Sequence, residues 1–153
     1  MFKHILVPLD GSALAESALP VALEVAQKFD GEITLVRVVL PPHVVSHTTG
    51  AAYASLITGL RELAYEEAES YLKTQQGSLR QQGHIVHCKV VDGEPVADII
   101  LDVAEGLPVD LIVMSTHGRS GVSRWVFGSV ADRVLRLASM PILLVRAQPG
   151  TAA

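Results

Sequence analysis

A single cysteine, Cys88, is all the chain has in its 153 residues. No intrachain disulfide can form, which suits a reducing cytoplasm. Basic charge is not in excess either: 12 Lys and Arg stand against 16 Asp and Glu, a net charge of −4. That argues against a general DNA or RNA binder, although a local cluster of arginines can still hold a small anion. No apolar run approaches the roughly 18 residues of a membrane span. The N-terminus, Met-Phe-Lys-His-Ile-Leu-Val-Pro, lacks the long apolar stretch and small-residue cleavage site of a secretory signal. Catalytic signatures are missing too. There is no G-x-x-x-x-G-K-[ST] loop, no G-x-G-x-x-G after the first strand and no G-x-S-x-G elbow, so neither a P-loop NTPase, a dinucleotide dehydrogenase nor an α/β-hydrolase is supported. The six histidines show no zinc spacing. His84, His87 and Cys88 are close in sequence, but in an extended strand His87 points away from the other two.

What the chain does have is apolar material, 49% of its residues, enough for the core of one ordinary domain. We expect a single domain over residues 1–147 and a frayed tail over 148–153. Four runs read as buried strands: His4–Leu9, Glu32–Val39, Asp110–Ser115 and Pro141–Arg146. Most are nearly continuous in Ile, Val and Leu, the pattern of a parallel sheet covered on both faces. A fifth run, His84–Val91, is more mixed and reads as an edge strand. Helices fill the gaps. Ser12 can cap one that reaches about Phe29, with Ala15, Leu19, Leu23 and Ala26 on one stripe. Pro20 cannot donate to the carbonyl of Glu16, so a kink or irregular turn is expected there. A long helix from about Ala54 to Gln82 carries Leu60, Ala64, Ala68, Tyr71 and Leu72 on one face and stops at Gly83. A third begins at Gly93-Glu94-Pro95 and runs to about Glu105. A fourth begins at Ser129.

This alternation predicts a doubly wound α/β sandwich of five parallel strands with helices on both faces. Ligands in such folds bind at the carboxyl ends of the strands, where the strand order reverses. The relevant ends are Asp10, Val38–Leu40 and Ser115–Gly118, and the segment Pro41–Ala52 is placed to fold over them. The most informative stretch is Ser115-Thr116-His117-Gly118, followed after Arg119–Phe127 by Gly128-Ser129. A strand, a glycine-punctuated loop and a helix start make a phosphate cradle, because the first helical N–H groups lack intrahelical acceptors and the helix dipole favours an anion. Gly118 and Gly128 admit close backbone approach, and Ser129 and Val130 supply donors. Arg119 and Arg124 can contact phosphates or simply be solvated. His117 can bond near the ligand or support the turn, while Trp125 and Phe127 read as packing residues. Two plainer readings stay open. Ser129 and Asp132 can form a capping box. Asp10 and Gly11 can form a strand-to-helix turn with Ser12 as the cap, and the residues alone favour that reading over a ligand contact.

With these residues assembled, the sequence resembles the universal stress protein family from Lys3-His-Ile-Leu-Val-Pro-Leu-Asp-Gly-Ser12 to Pro141-Ile-Leu-Leu-Val-Arg146. The specific match is to the family's ATP-binding pattern, G-x2-G-x9-G-[S/T], met by Gly118, the nine-residue spacer, Gly128 and Ser129. The first position is Ser115 rather than glycine. The resemblance implies a strand order of 3-2-1-4-5. It implies adenine near Val38, ribose near Asp10, and phosphates on Gly118, Arg119, Gly128, Ser129 and Val130. Pro8, Leu9, Met114, Ser115 and His117 join the expected nucleotide-binding set. Mg²⁺ commonly bridges the phosphates in the family, and homodimers often pair through the last strand, here 141–146.

The function expected is therefore a cytoplasmic, homodimeric regulatory protein of the stress response that binds ATP, ADP or AMP and signals by nucleotide-dependent conformation. No nucleic-acid or membrane partner is expected, and no metal site built by the protein alone. Two alternatives are a slow Mg²⁺-dependent ATPase, which lacks an evident water-activating base, and a dimeric interaction module that uses the scaffold without a ligand.

Overall fold

A computed structural model describes residues 1–43, 50–116 and 128–146. Five parallel strands form one sheet: β1 (His4–Pro8), β2 (Glu32–Val39), β3 (Val86–Asp92), β4 (Leu111–Ser115) and β5 (Ile142–Val145), in the order β3-β2-β1-β4-β5. The order is the expected one, and β3 lies at an edge as its mixed composition suggested. β1 is central. It pairs with β2 from His4↔Glu32 to Pro8↔Val36 and with β4 through Ile5↔Leu111 and Leu6↔Ile112.

Side chains on a strand alternate between faces, so each apolar run feeds two cores. Ile5, Val7, Leu9, Ile33, Leu35 and Val113 enter one cluster. Leu6, Val36, Ile112 and Met114 enter the other. The first cluster is covered by α1 (Ala13–Glu16), α2 (Leu19–Phe29) and α3 (Ala51–Gln81), through Ala15, Ala18, Ala22, Ala26, Leu72 and Leu79. The second is covered by α4 (Val96–Gly106) and α5 (Ser129–Leu137), through Ala97, Ile100, Leu101, Ala104, Ala131 and Val134. Small alanines on the helices let them sit close to a sheet surface built of branched residues.

The helices depart from the sequence reading in three places. The helix expected from Ser12 to Phe29 is two helices, with a break at Ser17–Ala18. Ser12 caps α1 as anticipated, its hydroxyl accepting from the Ala15 N–H at 3.1 Å. Pro20 falls in the first turn of α2, where its missing N–H costs nothing. The irregular turn is thus complete enough to start a new helix. In α3 the burial stripe begins late: Ala68, Leu72 and Leu79 are buried, while Leu60, expected on that face, is exposed along with Leu56 and Leu63. The start of this helix extends past what the sheet can cover. At α5 the cap is Gly128, not Ser129, so the cap residue itself has no side chain to bond the helix start. Ser129 is the first helical residue, and Asp132, instead of completing a capping box, accepts from Arg136 one turn on at 2.9 Å.

Leu72 is fully buried between α3 and the sheet. Leu72→Ala is expected to destabilise the protein by about 2–5 kcal/mol, the cost of the lost methyl groups plus the cavity they leave. Urea denaturation checks this: the midpoint should fall at an unchanged slope.

Candidate functional site

β1 is where the strand order reverses. β2 lies on one side of it and β4 on the other, so their connections leave in opposite directions and a crevice opens at the carboxyl edge. A cavity of about 390 Å³ occupies that crevice, within the usual range for small-molecule sites. Pro8, Leu9 and Asp10 line it from the end of β1 and the turn after it, Val38 from β2, Met114 and Ser115 from β4, and Gly128, Ser129 and Val130 from the start of α5. Nine residues singled out from sequence are thereby brought together. The other three, His117, Gly118 and Arg119, lie outside the described residues, as do Arg124, Trp125, Phe127 and residues 44–49 of the Pro41–Ala52 segment.

The ends of the glycine-punctuated stretch are fixed to one another. Thr116 N–H donates to Val145 at 3.0 Å, extending the β4–β5 ladder, and Gly128 N–H donates to the Thr116 carbonyl at 2.8 Å. The chain therefore leaves and re-enters at the same point on the cavity rim. Asp132 N–H closes the first α-helical bond onto the Gly128 carbonyl at 2.9 Å. The earlier N–H groups of α5 have no intrahelical acceptor, and the cap residue, Gly128, has no side chain to offer them.

Asp10 takes the plainer of its two readings. One carboxylate oxygen accepts from the Ser12 N–H at 2.9 Å and the Ser12 hydroxyl at 2.5 Å, so Asp10 orders the turn that leads into α1. It also lines the cavity, and one role does not displace the other. The wall toward α4 is apolar, with Val36, Val38, Val96, Ile100 and Met114.

Sequence reasoning missed the wall toward α3. Ala64 and Glu67 come from that helix and Arg37 from the middle of β2. Arg37 was detectable: it is the single charge inside the apolar run Ile33-Thr-Leu-Val-Arg-Val-Val39. Its guanidinium donates to Glu67 at 3.1 Å and lies 5.0 Å from the centre of the Tyr71 ring, a cation–π distance. The Tyr71 hydroxyl in turn donates to Glu16 at 2.7 Å. Residues from β2, α3 and α1 are thus tied beneath the Asp10–Gly11 turn. Ala64 lies on the stripe expected to face the sheet, but nothing in the spacing along α3 points to Glu67 or puts either residue at the cavity, because that depends on where the helix docks.

The comparisons with known proteins agree with this architecture. The family model described as "Universal stress protein family" matches residues 1–146. The chain belongs to the universal stress protein family. Among curated members, Universal stress protein MJ0531 of Methanocaldococcus jannaschii is 34% identical over 146 residues, covering 95% of this chain and 83% of the relative. Among solved structures, hypothetical protein MJ0577 superposes with a TM-score of 0.85 at 27% identity, covering 98% of this chain and 99% of that one. Two more distant members were solved with ligands. One is a universal stress protein in complex with cAMP, with a TM-score of 0.60 and 22% identity over 96% of this chain and 98% of that one. The other is a family protein from Arabidopsis thaliana with AMP bound, with a TM-score of 0.68 and 15% identity over 96% of this chain and 93% of that one. At those identities the likeness to this member is one of fold.

The Tyr71 phenol is pushed well above its ordinary value of 10.0, first by burial and then by its hydrogen bond to Glu16. The folded state therefore holds this proton more tightly than the unfolded chain. The resulting stability is complete below the unfolded value and is lost as pH rises above 10.0. Tyr71→Phe is expected to unfold more easily at neutral pH and to lose less stability than the wild type above pH 10.0, as read by urea midpoints across an alkaline series.

Proposed function

We propose that this protein is an adenine-nucleotide-binding regulatory member of the family, with ATP, ADP or AMP as ligand and conformational signalling as its output. One observation carries the reading. The carboxyl ends of β1, β2 and β4 and the glycine-capped start of α5 line a single cavity with an apolar wall on one side and backbone donors at one end. An adenine ring suits the wall of Val38, Val96, Ile100 and Met114 beside the β2 end. A ribose suits the Asp10 turn. Phosphates suit the first N–H groups of α5 and the Ser129 hydroxyl, where the helix dipole favours negative charge. The distant members carrying cAMP and AMP support the same ligand class.

Mg²⁺ fits as a companion of the nucleotide. Among the described residues no three His, Cys, Asp or Glu side chains converge on one point. A hard cation would here take most of its oxygens from phosphates and water, as Mg²⁺ commonly does. The carboxylates at or near the cavity are engaged, Asp10 with Ser12, Glu67 with Arg37 and Asp132 with Arg136, so hydrolysis is no part of the proposal. Among the described residues no helix is long and apolar enough to cross a membrane. A cytoplasmic setting, where Cys88 stays reduced, completes the reading.

Adenine nucleotide is expected to raise the melting temperature of ligand-free protein by an amount set by free ligand over Kd. Thermal-shift titration with ATP, ADP, AMP and GTP, with and without Mg²⁺, tests it. Gly128→Asp, which puts a carboxylate where the phosphates would lie, is expected to remove the shift, and no shift in the wild type would sink the proposal.

We also propose a homodimer through residues 141–146. β5 pairs only with β4 among the described strands, and its Leu143 is exposed, as are Leu135 and Leu137 on the adjacent helix. An apolar, unpaired strand edge is a template for another strand. Leu143→Lys is expected to shift the sedimentation coefficient from dimer to monomer. A wild type that sediments as a monomer at micromolar concentration would overturn this part.

A further inference from the structure

Arg37 has no task in the nucleotide reading, and its two contacts, the Tyr71 ring and Glu67, leave most of its N–H donors unmatched by protein acceptors among the described residues. It shares a strand face with Ile33 and Leu35, which enter the core beneath α1 and α3. Its side chain is 10% exposed, yet its salt-bridge partner Glu67 is 70% exposed. Burying a guanidinium is costly unless its donors are matched, and an ion pair to a largely solvated carboxylate contributes little. Among the described residues only Glu67 accepts a hydrogen bond from it, while a guanidinium carries five N–H donors. The group lines the cavity rather than being sealed in the core. Its position is specific: a Cβ placed on Gly11 would lie 3.3 Å from Nη1 and 3.5 Å from Nη2. Gly11 also has a φ of +86°, a conformation that disfavours any residue with a side chain. The fork is thus held against the backbone one residue beyond Asp10.

We infer that Arg37 is an anion subsite at the ribose end of the cavity, for a phosphate carried on the 2′- or 3′-hydroxyl of an adenosine nucleotide. The inference rests on the nucleotide reading above and names its ligand more narrowly. In dinucleotide folds an arginine near the ribose accommodates a ribose phosphate where an acidic residue would otherwise meet the free hydroxyl, and here Asp10 can keep the unphosphorylated hydroxyl while Arg37 takes the phosphate. The planar fork matches two phosphate oxygens at once. Glu67 is the competitor: being mostly solvated, it can release the guanidinium and turn to water. Asp10 opposes the phosphate by charge, and its bonds from Ser12 offset part of that repulsion.

The test compares ligands that differ by one phosphate. Isothermal titration of nucleotide-free, full-length protein with AMP, adenosine 2′,5′-bisphosphate and adenosine 3′,5′-bisphosphate should find one bisphosphate about tenfold or more tighter than AMP, the scale of a charge-assisted hydrogen bond. In Arg37→Met that preference should collapse to near unity, and in Glu67→Gln it should widen. AMP binding with no preference for either bisphosphate overturns the subsite and leaves the nucleotide reading standing, as does a preference that survives Arg37→Met. If Arg37→Met does not fold, Glu67→Gln decides, and an unchanged preference there overturns the subsite. Failure of AMP, ATP and both bisphosphates alike overturns the nucleotide reading and the subsite with it.

Discussion

The pairing of β1 between β2 and β4 is the constraint on which the molecule depends. A parallel strand in the middle of a sheet presents apolar side chains on both faces, so it is stable only when helices cover both. Here Ile5 and Val7 face one layer and Leu6 the other, all fully buried. Because parallel strands end together, every strand-to-helix turn on the carboxyl side opens at one edge. Polar backbone and short side chains gather there. The cavity at that edge is a consequence of how the core is covered.

What fills that edge differs from side to side. Toward α4 the walls are aliphatic, an extension of the second core cluster. Toward α3 they are charged, with Arg37 and Glu67 paired at the wall and Arg37 resting on Tyr71, which is bonded to Glu16 of α1. The two walls come from opposite faces of β2, since Val36 and Val38 project one way and Arg37 the other. A single strand thus gives the cavity an apolar wall and a cationic one. The exposed beginning of α3, with Leu56, Leu60 and Leu63, adds nothing to this division.

Strand existence and type were legible because the signal is a continuous run of Ile, Val and Leu, and such runs rarely fit anything but a covered sheet. The order of the strands was not contained in those runs. It came from the likeness of Asp10-Gly11-Ser12 and Gly128-Ser129 to a known pattern, and the observed sheet has that order. Helix ends were legible less well. Pro20 announced a disturbance, but whether the result is a kink or two helices depends on how α1 and α2 each meet the sheet. Ser129 and Asp132 had the spacing of a capping box, yet Gly128 holds the cap position, its backbone extended and its carbonyl accepting the first helical bond from Asp132 N–H.

By itself, the sequence determined the class of fold, the two-faced core and the strand ends at which a ligand would be held, since these follow from local pattern and from glycine and proline placement. Only the tertiary structure decided that Asp10, Val38, Met114, Ser115 and Ser129 share one cavity, and that Arg37 and Glu67 belong to it as well. The physical reason is range. A hydrophobic period or a turn is written over a few adjacent residues, whereas the meeting of Arg37 with Glu67, thirty residues away, is set by the angle and depth at which a whole helix packs on the sheet.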